Sequence, residues 1–296
     1  MMLTKQTVTN NFLLIVLLLA VGFAFAMRVT VFQKPATPFV PPATALPAGF
    51  STYWYGSRVE TNTYRLEQAL DGRLIPGEAR LDFAAEDFRT NRPVSTSAAT
   101  ATSTNERPAL RSTLSETFAA GTFADHLRTS VTTPIYNPLY PNTLRVSTSA
   151  LLANHERAVQ LTYQDNGYHV AITAPTGSEA ESYDVEKVLL EDELWNRIRL
   201  NPDKLPTGET RLIPGTMTAQ LRSKRIEPLP ATAKLGAYEG VLYPGQFLNA
   251  YTVQYPTDDR TLTIVFERKF PHRIVGWEET YRSGPALLTT RAILNQ

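Results

Sequence analysis

Beyond residue 50, apolar positions recur mostly with period two, the spacing of strands whose side chains alternate between two faces. Tyr64, Leu66 and Leu70 alternate with Arg65, Glu67 and Ala69; Ala79, Leu81 and Phe83 alternate with Glu78, Arg80 and Asp82. Asp71-Gly72 and Pro76-Gly77 supply turn signals, so this stretch predicts a hairpin with one apolar and one charged face. A second hairpin is predicted at Asn166-Gly167, a dipeptide suited to the positive φ angles of a type I′ turn. With that pair as the loop, Asp165 faces Tyr168, Tyr163 faces Val170 and Leu161 faces Ile172. Val159, Leu161 and Tyr163 then share a face with Val170 and Ile172, while Gln160, Thr162, His169 and Thr173 take the other. The C-terminal third predicts a meander. Phe247, Tyr251, Val253 and Tyr255 form its first strand, Leu262, Ile264 and Phe266 its second, and Val275, Trp277 and Tyr281 its third. The turns fall at 256–259 and at Pro271-His272.

One segment breaks this rhythm. Leu190, Leu194 and Ile198 fall at i, i+4 and i+8 beside Trp195, which predicts a helix from Asp184 to about Leu200. Ser182 or Asp184 caps it and Asn201-Pro202 stops it. Its apolar stripe packs on a sheet, and Glu191, Asp192, Glu193, Arg197 and Arg199 fall on the solvated side. The expected fold is mainly β (α+β): a curved antiparallel sheet or half-barrel with one principal helix on its concave face.

The first 50 residues carry a different pattern. Phe12 to Met27 is an uncharged apolar run preceded only by Lys5 and closing on Ala24-Phe25-Ala26, the small-x-small spacing of a signal-peptidase site. The uncharged span from Gln6 to Met27 also suits a retained membrane anchor of about 20 residues. Pro35, Pro38, Pro41, Pro42 and Pro47 follow. The organisation expected is therefore a signal peptide or membrane anchor over 1–27, a proline-rich spacer over 28–49, and a periplasmic β-rich domain over 50–296. The small, polar, aperiodic stretch 92–108 is expected to be a mobile loop within that domain.

Composition removes several function classes. The absence of cysteine excludes disulfides, thiolate metal sites, a cysteine nucleophile and a lipid-modified cysteine. Twenty-nine basic residues against 28 acidic ones leave a net charge of +1 with no sign asymmetry, so no nucleic-acid partner is expected. Gly-x-Ser-x-Gly and both glycine-rich phosphate loops are absent. His126, His155, His169 and His272 lie too far apart for a local zinc pair. Glu191-Asp192-Glu193 and Glu278-Glu279 are the candidates for holding a cation or acting as acid and base. Neighbours on a helix diverge and neighbours on a strand face opposite sides, which counts against both. Asp258-Asp259 reads as turn chemistry, and Tyr53-Trp54-Tyr55 as half-buried strand aromatics. No catalytic, cofactor-binding or metal residue is assigned, and no cofactor is expected.

Three stretches carry a family resemblance: YWYGSRVETNTYRLEQALDGRLIPGEARLDFAAEDF (53–88), KVLLEDELWNRIRLNPDKLPTGETRLIPG (187–215) and RTLTIVFERKFPHRIVGWEETYRSG (260–284). Together they cover about a third of the chain. They resemble an uncharacterised family of exported Gram-negative bacterial proteins often labelled "septum formation inhibitor Maf". Maf nucleotide pyrophosphatases open with Ser-x-Ser-Pro-Arg-Arg. That hexapeptide is absent, so none of their catalytic residues carries over. Many relatives have a lipid-modified cysteine after the signal, which this chain lacks. The resemblance implies export and supplies no activity. The expected function is that of a non-enzymatic envelope-associated protein in contact with the membrane through residues 6–27. A carrier of an apolar ligand or lipoprotein is the first rival, favoured by an unplugged apolar concave face. A Maf-like pyrophosphatase or other hydrolase is the second, favoured by a buried cluster of histidine and carboxylates.

Overall fold

The computed structural model describes residues 49–55, 59–89, 106–121, 124–135, 142–152, 155–164, 167–173, 180–283 and 285–295. The apolar run, the spacer up to residue 48, positions 92–105 of the predicted loop and Asn166 lie outside them. Positions 106–108 of that loop are already strand.

Strands β1 (Glu60–Leu70) and β2 (Arg73–Arg89) form the first hairpin, turning at Asp71 and Gly72, whose φ angles are 48° and 77°. Pro76-Gly77 does not turn. It lies inside β2, with Pro76 opposite Glu67 and Gly77 opposite Leu66. Gly77 is there for close approach: a Cβ would run into the Thr117 carbonyl of β3 (Glu106–Phe118). The chain then steps antiparallel through β4 (Asp125–Pro134), β5 (Arg145–Leu152), β6 (His155–Gln164), β7 (Gly167–Thr173) and β8 (Glu181–Glu186). After β9 (Leu189–Leu190) and β10 (Gly208–Ile213), a second meander follows. It comprises β11 (Leu229–Ala237), β12 (Leu248–Tyr255), β13 (Arg260–Glu267), β14 (Ile274–Ser283) and β15 (Ala286–Leu294). β15 then pairs with β1, Leu294 opposite Tyr64.

The result is one 15-stranded sheet with β8 and β9 at its ends and the first and last strands side by side near its middle. All pairings are antiparallel except β9 with β10. Laid flat at about 4.8 Å per strand, such a sheet would be roughly 70 Å wide. Its two edges are nevertheless joined by Lys187 and Val188 alone, a reach of about 11 Å. The sheet must therefore curl until its edges are neighbours, which gives the expected curved half-barrel.

The concave face is filled. Tyr64, Leu66, Leu81, Phe83, Tyr251 and Ile264 point inward from the strands and are buried with Leu194, Trp195 and Ile198. Two short helices share the work expected of one: α2 (Leu194–Leu200) and α3 (Thr216–Arg222), after α1 (Phe50–Trp54). The predicted helix start at Asp184 is wrong. Residues 184–186 end β8, Leu189 and Leu190 form β9, and Glu191–Glu193 make a 3-10 turn into α2. Tyr183 and Val185 alternate in strand phase and pair with Val170 and Tyr168 of β7, completing the sheet edge.

Three further expectations are corrected. The 166–167 hairpin is shifted: Gln164 faces Gly167, Tyr163 faces Tyr168 and Leu161 faces Val170. The facing sets survive because the shift moves each partner by two residues. Phe247 does not point inward, and a bulge after Val265 turns Val275 to the outer face, where it packs with Tyr243, Leu248 and Val265. Tyr53 and Trp54 belong to α1, not to a strand. Trp54 is buried beside Phe50, and Tyr53 and Tyr55 are exposed.

Candidate functional site

Where the 191–193 turn and α3 cross the concave face, charged side chains are drawn inside. Arg260 begins β13 in phase with Leu262, Ile264 and Phe266, so it points inward. Its guanidinium forks onto Glu191, with Nη1 and Nη2 each donating at 2.5 Å, and its Nε donates to Glu279 at 2.8 Å. Glu279 also accepts from Arg222 at 2.9 Å and from the Thr218 hydroxyl at 3.2 Å. Arg222 in turn lies over the Tyr281 ring, 3.6 Å from its centroid. Asp192 accepts from the Thr216 backbone N–H at 3.0 Å and hydroxyl at 2.8 Å. A hydroxyl chain runs on from Thr216 through Thr148 to Thr129.

The structure thus unites Glu191, Asp192 and Glu279 and leaves Glu193 and Glu278 elsewhere. Glu193 is only 1% exposed, against the expectation that it is solvated. It accepts from Thr143 at 2.6 Å, from Arg197 at 2.7 Å and from the Leu190 N–H at 3.1 Å. Arg199 is buried as well. It pairs with Glu60 and lies 5.0 Å from the Trp54 ring and 4.7 Å from the Phe83 ring, tying α2 to α1 and β1. Glu278 does point away from Glu279, to Arg291 at 2.7 Å.

Beside this cluster lies an interior cavity of about 60 Å³, lined among others by Glu116, Asp192, Glu279, Trp195 and Trp277. That is room for a few waters. Glu116 of β3 is 4% exposed, has no hydrogen-bond partner among the described residues, and lines the cavity. Burial, and secondarily the charge of Glu279, push its pKa up to about 8. Burial likewise pushes Asp192 up to about 7, against the two Thr216 hydrogen bonds. Burial acts on Glu279 in the same sense, but Arg260 and Arg222 outweigh it and hold that carboxyl below its usual range. Burial thus disfavours the charged form of Glu116 while two arginines favour the charged form of Glu279, a division that suits proton exchange.

Sequence reasoning missed Glu116, Arg222 and Arg260. For two of them a signal exists: Glu116 is in phase with Leu110, Leu114 and Phe118, as Arg260 is with its apolar neighbours. A charge in phase with an inward apolar row marks an interior ionic site.

The histidines do not converge. His126 bonds Thr117 on the surface, His169 pairs with Asp184 at 2.8 Å, and His272 sits in the β13–β14 connection. Only the backbone of His155 is described. Among the described residues no group of histidines and carboxylates is arranged to hold a metal ion, and no helix is long and apolar enough to cross a membrane.

No family model matches the chain, and no curated protein matches it. A solved structure that is similar is the crystal structure of a beta-barrel-like protein of domain of unknown function DUF1849 from Brucella abortus. It shares 10% identity over 80% of this chain and 95% of that one, with a TM-score of 0.46.

Proposed function

We propose that this chain is a non-enzymatic, envelope-associated protein, exported or tethered through residues 6–27, whose β-rich unit meets its partners at its outer surface. The observation that carries this reading is the filled concave face. A ligand pocket for a drug-sized molecule measures roughly 300–1,000 Å³, and the interior cavity measures about 60 Å³. The helices α2 and α3 and the Arg260–Glu191 pair occupy the space an apolar ligand would need. This counts against the carrier. The resemblance to exported proteins supports the envelope location.

One observation favours a hydrolase instead: the raised pKa values of Glu116 and Asp192 beside the ionised Glu279. The two readings separate in an assay of the purified full-length chain with nucleoside triphosphates and magnesium or manganese. The proposal expects no hydrolysis. Turnover of about 1 per second, lost on Glu116→Gln or Asp192→Asn, would overturn it. The location is tested with a reporter that is active only in the periplasm, fused after Gln296. It is expected to be active, and activity of a cytoplasm-only reporter in its place would sink the location.

A further inference from the structure

The exposed large apolar side chains are not scattered. Tyr53, Tyr55, Val59, Val241, Leu242 and Phe247 all lie at the end of the sheet where the described chain begins. The strand pairings fix this placement. The start of β1 lies beside the end of β15, which lies beside the start of β14, the end of β13, the start of β12 and the end of β11. The 238–247 and 268–273 connections therefore share one end with α1. Contacts agree: the Phe270 ring packs on both Phe50 and Tyr53, and the Arg268 backbone N–H donates to the Phe247 carbonyl. The other exposed large apolar side chains among the described residues, Leu74, Leu151 and Leu287, are at the opposite end.

Two of the six are presented with particular force. Val241 is 99% exposed and Phe247 is 70% exposed. Phe247 also has a φ of 55°, an unfavourable conformation for a bulky residue, so the fold spends backbone strain on a phenylalanine that faces water. Exposed Arg268 and Lys269 follow closely in the neighbouring connection. An open groove between the Val241–Pro244 strap and the outer face has Arg65 on its wall. Apolar tips, tyrosines and nearby cations together make the composition of a membrane–water interface.

We infer that this end of the β-rich unit docks on a lipid bilayer, with Val241, Leu242 and Phe247 entering the headgroup region. The inference rests on the proposed tether. The apolar run closes at Met27, and the 28–48 spacer joins it to the apolar end of the described unit rather than to the opposite one. A short spacer keeps that end at high effective concentration near the bilayer, so a modest apolar patch suffices.

Because the chain has no cysteine, single probes can be placed without background. Val241→Cys and Phe247→Cys, with Leu74→Cys and Leu287→Cys as controls, would each carry a polarity-sensitive dye. The full-length chain is reconstituted in vesicles of phosphatidylethanolamine and phosphatidylglycerol, with and without lipids bearing an acyl-chain quencher. The first two probes should shift to the blue and lose most of their emission to the quencher, and the controls should do neither. Four water-exposed probes would overturn the inference. A blue shift without lipid quenching would also overturn it, since a second copy or another protein would then cover the patch. Extraction with alkaline carbonate separates the tether from the docking. Chains that stay in the membrane with unquenched probes keep the tether and lose the docking. Chains that are stripped off after showing quenched probes keep the docking and lose the tether. Each variant should melt at the temperature of the parent, because these side chains are in water in the free unit.

Discussion

Arg260 is buried with every nitrogen of its guanidinium engaged, two on Glu191 and one on Glu279. Removing one member of such a set leaves a charge without compensation, which typically costs about 3–5 kcal/mol. Glu193 lies on the other side of the 191–193 turn, and its Arg197 partner reaches solvent, 13% exposed. Glu193→Ala should cost roughly 1–3 kcal/mol, read by denaturant unfolding, because Thr143, Arg197 and the Leu190 N–H each lose a hydrogen bond. A cost of a few tenths would restore the solvated placement expected from the sequence. Glu116 gives a pH signature. Its ordinary pKa of 4.5 rises to about 8 in the fold, so between those values the folded protein holds a proton the unfolded chain has released. The Glu116 contribution to stability is then fully present below pH 4.5, falls as pH rises, and levels off above about 8. Asp192 contributes with the same sign from 3.8 to about 7. Glu116→Gln cannot ionise, so it should match the parent near pH 4.5 and exceed its stability at pH 8 by an amount on the order of a few kcal/mol. Equal pH profiles would place the Glu116 carboxyl in water. Glu191, Asp192 and Glu279 of this cluster were visible as candidate acids in sequence, but their convergence with Glu116, Arg222 and Arg260 was not. Periodicity reports which face a residue takes, and it cannot report which strands a curled sheet brings opposite one another.

Local patterns predicted elements well where a single periodicity governed them. Ala79, Leu81 and Phe83 point inward as their alternation requires, and the 71–72 turn has the backbone that Asp-Gly favours. Prediction failed where two periodicities overlapped. From Tyr183 to Ile198 the strand alternation of β8 runs into the helical stripe of α2 within a few residues, and the stripe alone suggested one long helix. Gly167 was read as a turn glycine, yet its φ is not among the positive ones. The described structure gives it another role: a Cβ there would run into the Val185 carbonyl of β8. These roles are separable. Asparagine tolerates left-handed angles, so Gly167→Asn would be mild at a type I′ position. At a close approach between strands it should cost about 1–3 kcal/mol, as any added side chain would. Gly236→Ala is the control, since its Cβ would meet nothing within 4 Å. A melting temperature of Gly167→Asn as high as that of Gly236→Ala would mean that β7 and β8 are not paired as described.

At the scale of the molecule, the decisive pairing joins the two ends of the described chain. β1 and β15 hydrogen-bond near the middle of the sheet, and the C-terminal strand therefore fastens the β1–β8 meander to the β9–β15 meander. No local sequence signal could reveal this, because hairpin rules speak only of neighbours in the chain. The contact brings together strands more than 200 residues apart, Leu66 with Ala292 for example. Contacts of that separation pay a large loop-closure entropy before any burial rewards it, which makes folding slow. Until β15 arrives, Tyr64 and Trp277, whose rings pack 4.8 Å apart across the seam, have no completed core around them. A chain ending at Ser283 should therefore lose cooperative unfolding and bind a hydrophobic dye, although it lacks only the last of 15 strands. A chain lacking only Asn295 and Gln296 should keep a sharp transition, since Leu294 still faces Tyr64. A sharp transition in the shorter chain, with the stability of the parent, would show that β15 is an ornament at an edge and that the two meanders hold together without it.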